Sequence, residues 1–164
     1  MKLELLPGVA RDQLNLVLNF FSRVDAKASM VLAVDTAMAG YLAGRMPSLK
    51  TMPYWQTLIP LSAFLLIGNS IWNLYKGAFP NLQGGNLSLV YFREIAKRTE
   101  AKFIDEFLAQ DETSYVKDVL GQVWRNSEIL TEKFKHLKVA FIFMALAVLP
   151  WVVSLASFAA RTTP

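Results

Sequence analysis

The chain has 164 residues, of which 54% are hydrophobic and 18% are charged, and its mean hydropathy is +0.32. Soluble domains carry about 25% charged residues, so this composition favours a protein that lies in a lipid bilayer. The chain contains no cysteine and one histidine, His136. This excludes a disulfide framework, thiolate catalysis and a multi-histidine metal site within one chain. We therefore expect a membrane protein that is not an enzyme and has no cofactor.

The N-terminal segment is not typical of a removable signal peptide, because Glu4 interrupts a short apolar run and no cleavage pattern precedes Arg11. We expect the mature protein to begin here. No Pro or Gly occurs from Gln13 up to Gly40, and apolar residues recur at helical spacing. This pattern predicts a cytoplasmic N-terminal helix in residues 1–27 that continues into the first apolar window.

Three windows are long and apolar enough to cross a hydrocarbon core, which needs about 20 helical residues. They cover residues 28–44, 54–75 and 138–160. The first contains one charge, Asp35, the second contains none, and the third contains none after Lys138. We predict an all-α membrane protein with three transmembrane helices, the first two forming a hairpin over residues 28–75.

The cations are distributed unequally along the chain. Fourteen of the 17 Lys and Arg lie in residues 1–27 and 76–138, and the other three are Arg45, Lys50 and Arg161. Because cationic segments stay on the cytoplasmic side, the N-terminus is predicted inside and the tail 161–164 outside. Acidic residues nearly balance the cations inside, and no polybasic block is present. No nucleic-acid polymer is therefore expected as a partner.

Residues 76–137 form the predicted cytoplasmic helical region. An apolar stripe from Leu89 to Ala109 lies opposite charged residues at helical spacing, which predicts one amphipathic helix. A second helix is predicted to begin near Asp111 or Thr113, either of which can cap it, and to run into the third span. The result is a small helical cytoplasmic bundle in which two helices continue into spans.

Four polar residues cluster at the inner mouth of the first span: Arg23, Asp25, Lys27 and Ser29. Such charges commonly reach to the membrane interface and fix the orientation of the span. An acid within a cationic set also fits an anion site, in which Lys27 or Arg23 binds the anion and Asp25 orients a donor. Both interpretations stay open.

A row of residues at spacings of 4, 3 and 4 shares one helical face: Gln122, Asn126, Ile129 and Lys133, with Ser127 adjacent. The amides can present donors and acceptors to the edge of a base, and the cation can hold its phosphate. The alternative is a polar seam between helices, which the spacing alone favours.

Asp35 lies inside the first span, where a charge costs at least about 2.5 kcal/mol, so we expect it to turn inward. Candidate partners in the second span are Asn69, Ser70 and Asn73. The carboxyl group then either satisfies a packing contact or lines and gates a pore. The sequence leaves both roles open.

The first span also carries a stripe of small residues: Ala33, Ala37, Gly40 and Gly44. Such a stripe permits close approach of helices, either within one chain or between subunits. Because three spans enclose little of a pore, a homo-oligomer is expected.

Two elements of the sequence resemble one known family. The segment R-V-D-A-K-A-S, from Arg23 to Ser29, resembles the D-x-K-A-S element that begins the first span in the transmembrane effectors of bacterial Pycsar anti-phage systems, with Val24 where the family usually has Ala. Tyr91-Phe92 and the segment that begins at Gln122 and continues through Lys133 look like that family's second element, Q-x-x-x-N-S-x-I-L-x-x-K-(F/Y). The resemblance extends from about Asp12 to the third span.

The resemblance implies an effector of abortive infection in the bacterial inner membrane, with its C-terminus in the periplasm. It implies a partner cyclase that makes a cyclic pyrimidine mononucleotide on infection, and activation by cyclic CMP or cyclic UMP to disrupt the membrane. The sequence contains no recognisable β-rich nucleotide-binding module, so sensing would use the helical cytoplasmic layer. The competing hypothesis is a structural or accessory membrane protein without a small-molecule ligand.

Overall fold

The computed structural model describes residues 6–47, 53–80 and 85–162, and every regular element in these ranges is an α-helix. The helices are α1 (Leu6–Arg45), α2 (Tyr54–Ala78), α3 (Phe92–Ile95), α4 (Glu100–Leu108) and α5 (Glu112–Thr162). The all-α class predicted from the sequence is confirmed. Residues 1–5 of the predicted N-terminal helix and residues 163–164 of the predicted tail lie outside the described residues.

The two longest helices, α1 and α5, have 40 and 51 residues. α1 meets no Pro or Gly between Gly8 and Gly40, so nothing interrupts its backbone hydrogen bonds. α5 begins directly after Asp111, whose Oδ1 accepts the backbone N–H of Ser114 at 2.8 Å. This is the helix cap that the sequence predicted at Asp111 or Thr113.

The prediction of one continuous helix from Leu89 to Ala109 is wrong, because the chain breaks between Ile95 and Glu100. The hydroxyl of Thr99 accepts the backbone N–H of Lys102 at 3.4 Å and caps the start of α4. A Thr at this position favours a new helix start over continuation. The apolar stripe alone did not reveal the break.

The chain divides into two compact units. Unit 1 comprises Met1–Arg23 and Pro80–Glu132, and unit 2 comprises Val24–Phe79 and Lys133–Pro164. Helices α1 and α5 each contribute residues to both units.

Unit 2 is a bundle of three helices held by layers of apolar side chains. One buried layer contains Met38, Ile67 and Ala147, and a second contains Leu42, Ala63 and Phe158. From the first layer to the second, the residue numbers increase on α1 and α5 and decrease on α2, so α2 runs antiparallel to the other two helices. Trp151 packs against both layers, and its indole N–H donates to the carbonyl oxygen of Met38 at 2.9 Å.

Unit 2 differs from a soluble bundle in its apolar exterior and in the polar side chains among its buried residues. The buried side chains of Asp35, Ser70 and Ser154 lie inside, while large apolar side chains on all three helices point outward, among them Met30, Leu58, Leu65 and Leu149. Two helical segments, Gln56–Ala78 and Glu112–Ala160, are long and apolar enough to cross a membrane. α1 is not among them, since Asp35 and Thr36 reduce the hydropathy of its apolar stretch.

Candidate functional site

Unit 1 contains a loop, residues 85–91, whose backbone takes an unusual path. Gly85 and Leu87 have positive φ angles of 69° and 62°. Glycine adopts this region freely, whereas a leucine there is strained. A Cβ atom added at Gly85 would lie only 2.8 Å from Nε2 of Gln122. Both the angle and the close approach therefore favour glycine at position 85.

Side chains from the loop and from α5 fix this path. The hydroxyl of Ser88 accepts the backbone N–H of Tyr91 at 2.9 Å and the Gln122 Nε2–H at 3.3 Å. Oδ2 of Asp118 accepts the backbone N–H of Leu89 at 2.7 Å. These bonds satisfy loop amides that have no helical partner and attach the loop to one face of α5.

Arg98 holds the loop from its other side. Its guanidinium donates to the carbonyl oxygen of Leu87 at 2.8 Å and pairs with Glu106 at 2.6 Å. The hydrogen bond from Arg98 holds the pKa of Glu106 below its ordinary value. The hydrogen bond from Lys97 in the same way lowers the pKa of Glu94, which also accepts the backbone N–H of Leu87. The loop is thus held by ionised groups.

An open polar groove of about 480 Å³ lies between this loop and α5. The side chains that line it include Ser88, Lys117, Gln122, Trp124, Arg125 and Glu128. Its volume falls within the range of small-molecule sites, about 300–1,000 Å³.

A glycine in the middle of α5 adds to the open space of the groove. Gly121 lines it, and a Cβ atom added there would meet nothing within 4 Å. Lys117 and Arg125 lie on one ridge of the helix with Gly121, Trp124 and Glu128 lie on the ridge to one side, and Asp118 and Gln122 lie on the ridge to the other side. The absent side chain leaves space between the two flanking ridges.

The chemistry of the groove suits a flat ring that carries an anionic group. The indole of Trp124 is 65% exposed and offers a face for stacking. Lys117 and Arg125 supply cations. Arg125 pairs with Glu128 at 2.9 Å, but both side chains are partly exposed, and such a pair is weak enough for an anion to replace. Gln122 adds an amide beside them.

Only one member of the predicted polar row, Gln122, lines this groove. Nδ2 of Asn126 donates to the backbone oxygen of Gln122 at 2.8 Å, and the Ser127 hydroxyl donates to the oxygen of Val123 at 2.8 Å. Both side chains thus bond to their own helix. Lys133 belongs to unit 2. The four polar side chains are not brought together in one site.

The predicted cluster at the mouth of the first span is also divided. The guanidinium of Arg23 lies over the ring of Phe20, 5.3 Å from its centroid. Asp25 pairs with Lys133 at 2.5 Å, and the Ser29 hydroxyl donates to the backbone oxygen of Asp25. Lys27 is exposed. The structure therefore brings together Asp25 and Lys133, one residue from each predicted set, in an ion pair.

Inside unit 2, Asp35 is fully buried and takes one of its three expected partners. The hydroxyl of Ser70 lies 2.6 Å from Oδ2 of Asp35. Nδ2 of Asn69 instead donates to the oxygen of Leu65, and Nδ2 of Asn73 donates to the oxygen of Asn69. The two amides bond to the backbone of α2, which leaves the carboxyl group to Ser70.

The small-residue stripe lies on the exposed side of α1. Ala33, Ala37, Gly40 and Gly44 are all exposed, and a Cβ atom at either glycine would meet nothing within 4 Å. The face of α1 that packs within unit 2 is instead formed by Val31, Asp35, Met38 and Leu42. The stripe is therefore not used for packing within the described parts of the chain.

Sequence reasoning missed most of the groove, namely Ser88, Lys117, Trp124 and Arg125. The available signal was Trp124, an aromatic residue beside Gln122 in a helix predicted to lie outside the membrane. Ser88 carried no such signal, because its place depends on how the loop folds back onto α5.

These features define an all-α protein that combines helices long and apolar enough to cross a membrane with a ligand-sized polar groove. The sequence model of a family described as the Pycsar effector protein domain matches residues 9–160. The chain belongs to this family, and the resemblance predicted from the sequence is confirmed. The family comprises effectors of antiphage defence and is not an enzyme family. No curated protein and no solved structure matches the chain.

Proposed function

We propose that the protein is an effector of abortive infection that binds a cyclic pyrimidine mononucleotide, made by a partner cyclase, in the groove of unit 1. Binding of cyclic CMP or cyclic UMP then leads to disruption of the bacterial inner membrane. The proposal of nucleotide binding rests on one observation, the groove around Gly121 and Trp124. The family assignment supplies the defence context.

The three helices of unit 2 are proposed as transmembrane helices. Support comes from apolar side chains that cover the outside of the bundle while Asp35, Ser70 and Ser154 are buried within it. A bundle in water would expose its polar residues instead. The α1 segment is less apolar than the other two, but its outward side chains, such as Met30, Leu32 and Val34, are apolar. The excess of cations in residues 1–27 and 76–138 supports a cytoplasmic location for unit 1 and the N-terminus and a periplasmic location for the C-terminus.

In the groove, the base of the nucleotide stacks on Trp124, and the cyclic phosphate binds Lys117 and Arg125 in place of Glu128. Stacking on an aromatic side chain contributes about 1–3 kcal/mol per base. The amide of Gln122, whose Nε2–H donates to Ser88, lines the groove beside the base. A pyrimidine leaves more of the groove unfilled than a purine, so the two cyclic pyrimidines need direct comparison with cyclic AMP.

Binding alters the membrane part through α1 and α5, which are continuous helices that contain residues of both units. A ligand shifts such an equilibrium only by binding one arrangement of helices better than another. We propose that the activated arrangement assembles as a homo-oligomer, because three spans in one chain enclose little of a pore. The exposed stripe of Ala33, Ala37, Gly40 and Gly44 suits that contact.

The experiment is dye release from liposomes that contain the purified protein. Cyclic CMP and cyclic UMP are added outside, with cyclic AMP as the comparison. Release with one of the pyrimidine nucleotides supports the proposal, and no release with either contradicts membrane disruption by this ligand. Binding is measured separately by thermal shift, since a ligand at a hundred times its dissociation constant stabilises the folded protein by about 2.7 kcal/mol.

Variants locate the site. Trp124→Ala and Arg125→Gln are expected to weaken binding and release by about tenfold or more each, because each removes one of the two main contacts. Lys102→Gln is the matched control, since Lys102 is an exposed cation of unit 1 that does not line the groove. Binding that survives both groove substitutions contradicts this site. A protein that shows neither shift nor release fits the accessory membrane protein.

A further inference from the structure

The core of unit 2 contains one ionisable group with an unusual set of neighbours. Asp35 has no exposed surface and lies between the buried side chains of Val31 and Met38 on α1. In a protein that spans a membrane, a carboxylate at this depth is costly. The hydrogen bonds of Asp35 therefore bear on whether its carboxyl group is ionised.

The hydroxyl oxygen of Ser70 is within hydrogen-bond distance of two acceptors. It lies 2.6 Å from Oδ2 of Asp35 and 2.9 Å from the backbone oxygen of Ala140. A serine hydroxyl has one proton and can donate one hydrogen bond. If Asp35 were ionised, one of the two short oxygen–oxygen contacts would have no proton between its atoms and would be repulsive.

We infer that Asp35 binds a proton in this structure, so that its Oδ2–H donates to the Ser70 hydroxyl oxygen and the Ser70 O–H donates to the Ala140 oxygen. Both short contacts then contain one proton each. Oδ1 of Asp35 accepts no hydrogen bond from the described residues. An unbonded carbonyl-type oxygen of a neutral acid costs less than an unbonded oxygen of a carboxylate.

The groups that face Asp35 from the neighbouring helices do not supply a counter-charge. From α2 the facing side chain is Ser70, and the cation of α2, Lys76, lies six residues further on and is exposed. From α5 the titratable side chains nearest to Ala140 in sequence are Lys138, which is exposed, and His136, whose Nδ1 lies 3.5 Å from Oδ1 of Asn73. On α1 itself, the nearest cation in sequence is Lys27, which is exposed and lies eight residues away, or about 12 Å along the helix.

This bound proton has a structural consequence. The relay from Asp35 through Ser70 to Ala140 joins α1, α2 and α5, the three helices of unit 2. Transfer of the proton from Asp35 to water would leave a carboxylate in the core and remove one bond of the relay. The neutral acid thus links the three helices by hydrogen bonds, and this link depends on the protonation of Asp35.

Infrared spectroscopy of the reconstituted protein without nucleotide tests this directly. At neutral pH, the wild type should show the carbonyl band of a protonated carboxylic acid, and the band should be lost in Asp35→Asn. In Ser70→Ala the band should shift to higher frequency, because the acid loses its hydrogen-bond acceptor. Absence of the band in the wild type, or a band that Ser70→Ala leaves unchanged, overturns the inference.

A second measurement uses stability. The folded bundle holds a proton that the unfolded chain releases at neutral pH, so the thermal midpoint of the wild type should fall as the pH rises, with a smaller slope in Asp35→Asn. Because the amide of that variant can still donate to Ser70, it should fold as well as the wild type, unlike Asp35→Ala. Equal slopes contradict the inference. Neither measurement uses a nucleotide, so the result is independent of the proposed function.

Discussion

The ammonium group of Lys133 lies 2.5 Å from the carboxylate of Asp25, and the Lys133 side chain is only 10% exposed. These two residues come from the two sequence elements that carry the family resemblance, D-x-K-A-S and Q-x-x-x-N-S-x-I-L-x-x-K-(F/Y). The first element opens the part of α1 that belongs to unit 2, and the second ends where α5 enters the same unit. The ion pair therefore gives both elements a shared structural role.

A double-mutant cycle measures this pair. Asp25→Asn and Lys133→Met each remove one charge, and we expect a coupling free energy of about 1 kcal/mol, because Asp25 is half exposed and solvent screens the pair. Equilibrium unfolding in detergent gives the four values needed. Additive effects of the two substitutions would show that the pair contributes nothing to stability.

A second prediction concerns the close approach of α2 and α5. A Cβ atom at Gly77 would lie 3.2 Å from Cβ of His136 and 3.8 Å from the backbone oxygen of Lys133. Gly77→Val should therefore force the helices apart and destabilise the protein by about 1–3 kcal/mol.

The matched control for this prediction is Gly68→Val on the same helix, where a Cβ atom would meet nothing within 4 Å. Both variants place a β-branched residue inside α2, so only steric crowding distinguishes them. The measurement is the unfolding midpoint in detergent. Equal midpoints for the two variants would contradict the close approach at Gly77.

The long helices were predictable because their signals are local. The absence of Pro and Gly between Gly8 and Gly40 of α1 and the cap at Asp111 in α5 act within a few residues of the positions they determine. The break between α3 and α4 was missed for a related reason. Apolar residues on either side of Thr99 keep helical spacing, and periodicity does not report the hydroxyl that starts a new helix.

The candidate site was harder to predict because it depends on distant contacts. The sequence spacing places Gln122 and Lys133 on one face of the helix. However, eleven residues of helix separate them by about 16 Å, and one mononucleotide is too short to contact both. Ser88 completes the groove only because positive φ angles at Gly85 and Leu87 turn the loop onto α5. No pattern within α5 specifies that partner.

Acid should weaken unit 1. The pKa values of Glu94 and Glu106 are lowered from an ordinary value of 4.5 by hydrogen bonds from Lys97 and Arg98. The folded state therefore keeps these groups ionised at pH values where the unfolded chain takes up protons. Their contribution to stability is complete above pH 4.5 and is lost as the pH falls through the lower pKa of the folded state.

Chemical unfolding at a series of pH values above and below 4.5 tests this. The variant with Glu94→Gln and Glu106→Gln should be less stable at neutral pH and should lose less stability in acid. Some decline remains, because hydrogen bonds from Ser114 also lower the pKa of Asp111. Glu100→Gln, at an exposed position of α4, is the control. An unchanged acid slope in the double variant would contradict the assignment.

Strain at Leu87 gives a prediction of increased stability. Its φ angle is 62° and its side chain is 81% exposed. The left-handed conformation therefore destabilises the folded protein, and burial of the side chain offsets little of that strain. Asparagine tolerates this region, and Leu87→Asn should stabilise the protein by about 1 kcal/mol. Leu108→Asn is the control, since Leu108 is equally exposed but lies in a helix. A loss of stability in Leu87→Asn would contradict the strain at this position.

The last prediction distinguishes the effect of filling the groove from the effect of changing the stability of α5. Gly121 lies inside α5, so both Gly121→Ala and Gly121→Leu should raise stability by up to about 1 kcal/mol through helix propensity. Only leucine reaches far enough into the open space above Gly121 to fill the groove. The thermal shift caused by the active cyclic nucleotide should therefore persist in the alanine variant and be lost in the leucine variant. Binding that is equal in the two variants would place the nucleotide elsewhere in the protein, because both keep the fold and differ only in how much of the groove they occupy.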